Sequence, residues 1–148
     1  MMKDFEAIFN QHCELKTRYQ KAKAANDAEA MDQVRTERNA LDATVEAKGA
    51  DFARLYDLYE SNRERGNEHI DLCECYDYRD EAALIANFRK YGITAFTFST
   101  SYSSAVKSAW AFLQNGCELA GMAEINSRCK RWDSDEYEKA PAYLFKVL

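Results

Sequence analysis

At 148 residues the chain suits one domain, or a small domain with an appendage, and a 47% hydrophobic, 13% aromatic composition excludes global disorder. The formal charge of −5 is evenly spread: residues 1–66 hold 11 basic and 13 acidic side chains, residues 67–148 hold 9 and 12, so there is no basic footprint for nucleic acid. No apolar run approaches the roughly 18 residues of a membrane span. The start MMKDFEAIF carries Asp4 and Glu6 where a signal peptide would be basic and then apolar, so a cytoplasmic protein is expected.

The chain falls into two parts with different hydrophobic periods, divided at Gly66. Residues 1–66 read as an antiparallel helical hairpin. Phe5, Ile8, His12, Leu15, Tyr19 and Ala22 step by three and four, which makes one face of an amphipathic helix. Asn26-Asp27 supplies a turn and a side-chain oxygen able to cap the next helix. A second helix over about 27–65 continues the rhythm through Met31, Val34, Arg38, Leu41, Val45, Lys48, Phe52, Leu55 and Tyr59. The first helix is expected to run out near Gly49, so the apolar stretch Phe52–Tyr59 needs another partner. Charges at Arg38 and Lys48 weaken any self-associating zipper, which leaves a monomer or a homodimer through the arm. His12, on the seam, reads as a packing residue.

Residues 67–148 read as a small βαβαββ domain, giving an α+β or α/β fold overall. Ile70–Tyr76 alternates as a half-exposed strand, and Asp80–Tyr91 has helical spacing with Gly92 closing it. Ile93–Phe98 is β-branched and aromatic, and Ser104–Asn115 carries Val106, Ala109, Trp110 and Leu113 at helical spacing. Leu119–Ile125 and Ala142–Leu148 read as two further strands, joined by a polar loop over 126–139. Strands alternating with helices imply that part of the sheet is parallel.

Chemistry-bearing patterns are few. The five cysteines, Cys73-Glu74-Cys75 among them, lack the second close pair that a zinc site needs, so no metal and no cofactor is expected. There is no G-x-S-x-G elbow and no glycine-rich phosphate loop, so no catalytic residue is assigned and an enzyme is not expected. Between Glu68 and Glu81 six acids face one Arg79, and within this strip Asp71, Glu74 and Asp77 are candidates for meeting a basic partner surface. Arg128, Lys130, Arg131, Trp132 and Tyr137 bring together the residue types enriched at binding hot spots. The alternative site is the hydroxyl run at a helix start, where Ser99, Ser101, Ser103 and Ser104 would hold a phosphorylated small ligand for a sensor or enzyme.

The strings FTFS-x-x-x-SSAV (Phe96–Val106) and YEKAPAYLF (Tyr137–Phe145) carry a resemblance over about residues 52–148. In these the chain resembles a family of small accessory proteins of phages and integrative elements of gut Firmicutes. The resemblance supplies no catalytic motif and leaves the helical arm largely uncovered. What it implies is a mobile-element gene product of the kind that inhibits host defence, anti-CRISPR proteins included. The expected function is therefore a non-enzymatic protein-binding inhibitor that blocks a defence nuclease by occlusion.

Overall fold

A computed structural model describes residues 2–73 and 77–148. Among these the chain is mixed α+β, with helices first and then a four-stranded mixed sheet. Two compact units divide it between Tyr56 and Asp57, ten residues before the composition break at Gly66.

In the first unit α1 (Met2–Ala24) and α2 (Ala28–Ala47) form the antiparallel hairpin. Asn26 turns the chain at φ 53°, and Asp27 caps α2 by accepting from the Ala30 N–H at 3.1 Å. Phe5, Ile8, Leu15 and Ala22 are buried on α1, and Val34, Leu41 and Val45 on α2, as the apolar spacing requires. Arg18 pairs with Glu37, and Arg35 donates to the Tyr19 hydroxyl. His12 stacks on Tyr56 with ring centroids 5.8 Å apart, its Nε2 3.6 Å from Asp42.

The second helix is not continuous over 27–65. It breaks at Gly49, and α3 (Ala50–Glu64) follows. Gly49 sits at φ +107°, a conformation that side-chain-bearing residues rarely adopt, so the break is a backbone requirement. Its consequence is that the start of α3 meets α1 after all. Phe52 and Tyr56 lie 4.8 and 6.2 Å from the Phe5 ring.

In the second unit the elements are β1 (Ile70–Leu72), α4 (Glu81–Lys90), β2 (Ala95–Phe98), α5 (Ala105–Gln114), β3 (Cys117–Lys130) and β4 (Tyr137–Val147). The strand order is β1-β2-β4-β3, with β1 and β2 parallel and β4 antiparallel to both its neighbours. Three strands therefore run one way, and β4 fills the gap left between β2 and β3. The first strand is shorter than its alternation suggests and wholly buried, and Glu74, Cys75 and Tyr76 lie outside the described residues. The expected loop over 126–139 is mostly ribbon: β3 runs to Lys130 and β4 begins at Tyr137.

Phe96 organises the packing. Its ring lies 5.2 Å from Phe88 of α4, 5.1 Å from Phe112 of α5 and 5.3 Å from Phe145 of β4. Both helices thus cover the same face of the sheet. The opposite face carries Asp71, Thr97 and Leu144 in register.

The end of α3 is tied to β3 through amide chemistry. Asn67 Nδ2 donates to Asn62 Oδ1 and to the Asn126 carbonyl, and Asn67 Oδ1 accepts from the Asn126 N–H at 2.8 Å. Asn67 thereby gives this point of the β3 edge the donor and acceptor that a neighbouring strand would supply.

Truncating Phe96 removes a ring that three elements share. Phe96→Ala is expected to cost about 3–5 kcal/mol, read as a lower urea midpoint with an unchanged slope.

Candidate functional site

The β3–β4 tip is a built turn. The Arg131 N–H donates to the Glu136 carbonyl at 2.7 Å, Ser134 N–H to the Arg131 carbonyl, and Glu136 N–H to the Ser134 hydroxyl. Arg131 also lies 3.6 Å from the Glu136 carboxylate, and Lys130 sits 5.5 Å above the Tyr137 ring. These contacts order the turn, and Trp132 within it is 98% exposed. Beside it is a depression of about 510 Å³ bordered by Arg131, Glu136, Tyr137 and Lys139. Arg131, Trp132 and Tyr137 are therefore brought together, with Lys130 against Tyr137. Arg128 is drawn away from this group to Asp77.

Asp71 and Asp77 do not form a solvated acidic strip. Both are buried, because their carboxylates serve the fold. Asp77 accepts from the Cys73 N–H at 2.6 Å and from Arg128, which links the chain after β1 to β3. Asp71 accepts from Thr97 Oγ1 and Ser99 Oγ, each at 2.6 Å. Burial raises the Asp71 pKa above its ordinary value, with the Ser99 and Thr97 hydroxyls and the Arg65 charge opposing that rise. Burial and the Arg128 charge lower the pKa of Arg65. Glu74, the third member of the proposed strip, lies outside the described residues.

The hydroxyl run is dispersed. Ser99 is bound to Asp71, Ser101 and Ser103 are exposed, and Ser104 precedes α5 without accepting a capping hydrogen bond from its amides. An anion at Ser99 would face a carboxylate. Among the described residues no group of three His, Cys, Asp or Glu is placed to hold a metal ion, and no helix is long and apolar enough to cross a membrane.

One surface escaped sequence reasoning. Val106, Trp110 and Leu113 share a face of α5 that points to solvent, while Ser108 and Phe112 are the buried residues of that helix. Together with Leu119, Tyr143 and Phe145 they line an apolar groove of about 300 Å³. Helical spacing shows that these residues share a face and does not say which face the sheet covers.

A family model matches residues 54–147, which take in most of α3 and nearly all of the sheet domain, and leave α1 and α2 out. The chain belongs to the family described as Domain of unknown function (DUF7698). No curated protein and no solved structure matches it. The Asp71–Thr97–Ser99 cluster, the hairpin tip and the α5 groove all lie inside the span that defines the DUF7698 family.

Asp71 gives a pH test. A carboxyl whose pKa is raised in the folded state stabilises most below its unfolded value, 3.8, and that contribution is lost as pH rises through the folded value. Asp71→Asn keeps an acceptor for Thr97 and offers Ser99 a donor. Denaturation at a series of pH values is expected to show wild type losing ground to Asp71→Asn as pH rises from below 3.8 toward neutrality.

Proposed function

We propose that this protein is a non-enzymatic protein-binding protein whose contact site is the tip of the β3–β4 hairpin. The observation that carries the reading is Trp132, 98% exposed at the apex of a turn closed by three hydrogen bonds. An ordered support lets a large side chain bind without a heavy loss of conformational freedom. Around the indole stand Arg131, Tyr137 and Lys139 with Glu136, so an aromatic anchor is ringed by charges of both signs. The resemblance to accessory proteins of mobile elements supplies the class of partner: a host defence nuclease, inhibited by occlusion. The net charge of −5 disfavours direct nucleic-acid binding. The phosphorylated-ligand reading has less support, because the Ser99 hydroxyl is engaged by the Asp71 carboxylate.

The test uses the full chain against a panel of purified defence nucleases, with co-elution and nuclease activity as readouts. A stoichiometric complex that silences its nuclease is expected, with Trp132→Ala weakening it by about 30-fold or more, as loss of a hot-spot side chain does. A complex that Trp132→Ala leaves at full strength overturns the tip as the contact site. A panel that neither binds nor loses activity overturns the inhibitor reading.

A further inference from the structure

We propose that the apolar groove beside α5 is a self-association surface, occupied by the same groove of a second copy of this chain. The proposal is independent of the hairpin tip. On α5, Val106, Trp110 and Leu113 are 81%, 63% and 45% exposed. On the sheet, Leu119 and Met122 of β3 are 48% and 63% exposed, and Tyr143 of β4 is 41% exposed. Leu119 is opposite Phe145 and Met122 is opposite Tyr143 across the ladder, so these side chains share the face that α5 covers in part. Six large side chains this exposed amount to roughly 600 Å² of apolar surface, at the upper end of what a monomer leaves bare. With a polar rim that approaches the roughly 800 Å² each partner gives to a standard interface.

The shape points to a second copy. Val106, Trp110 and Leu113 form a ridge of large side chains that lines the groove on the α5 side together with the small Ala105 and Ala109, and Leu119, Tyr143 and Phe145 line it from the sheet. A two-fold axis between ridge and groove seats the ridge of each copy in the groove of the other, with the Trp110 indole in a space of about 300 Å³. The described residues lining the groove are all apolar or aromatic, so closing it strands no charge.

Sedimentation velocity of the full chain over roughly 1–100 µM is expected to give twice the 17.0 kDa chain mass. Trp110→Glu and Val106→Glu alter exposed positions, and each is expected to weaken the dimer by about 100-fold or more, whereas Trp132→Ala leaves it intact. The chain has two tryptophans, so Trp132→Phe makes Trp110 the sole indole emitter. Its emission is expected to shift to the blue as concentration rises through the dimer range. A wild type that stays monomeric throughout overturns the proposal. So does a dimer that both glutamate variants and the Trp110 emission leave unmoved, which would place the interface elsewhere, on the helical arm for example.

Discussion

The β-sheet domain depends on the packing of Phe96 against Phe88, Phe112 and Phe145. A four-stranded sheet has no stability until one face is covered, and a single ring on its second strand meets both covering helices and the C-terminal strand. Tyr78 and Phe98 extend the cluster through Phe112. Because α4 and α5 converge on this one point, both lie over the same face. The end of that face over β3 and β4 is left partly bare, and the exposed apolar groove follows from it.

The other face obeys a different rule. It places Asp71 opposite Thr97, and a buried carboxylate is tolerated there because two hydroxyls donate to it. Asp77 is held in the same way by a backbone amide and Arg128. At Asn126 the outer strand is engaged by Asn67, and Arg65 Nε reaches its carbonyl at 3.3 Å. Buried polar groups thus fix how the segments after α3 and β1 join the sheet, whereas the aromatic cluster supplies burial. The hairpin tip lies beyond both. Its order comes from local hydrogen bonds.

Much of the fold was legible because local signals agreed. Seam spacing in α1 and α2, the Asp27 cap and the Gly92 stop all agree with the observed elements. The errors have physical causes. The second helix read as continuous through Gly49, yet the positive φ of that residue ends α2, and Phe52 and Tyr56 beyond it lie against Phe5. Polar residues over 126–139 read as loop because an exposed two-stranded ribbon needs no apolar alternation. Asp71 and Asp77 read as surface charge, since the hydroxyls, amide and guanidinium that receive them lie up to 51 positions away in the chain. The sequence placed Arg131, Trp132 and Tyr137 close together, but the ordered turn that joins them was not legible in it.

By itself the sequence determined what each segment can become: two amphipathic helices with a capped turn, strands separated by helices, no apolar run long enough for a membrane-spanning helix, and a group of aromatic and basic residues near the C-terminus. Those properties rest on periods of three to four or two residues and on capping side chains, all of them local. The tertiary structure alone decided which helix face is covered. Val106, Trp110 and Leu113 share a stripe that any amphipathic helix would bury, but Phe112 on the adjoining face is the residue that reaches Phe96 and Phe145. Strand order made that choice. With β4 between β2 and β3, the covered centre of the sheet lies under Phe112, and the stripe beside it faces solvent.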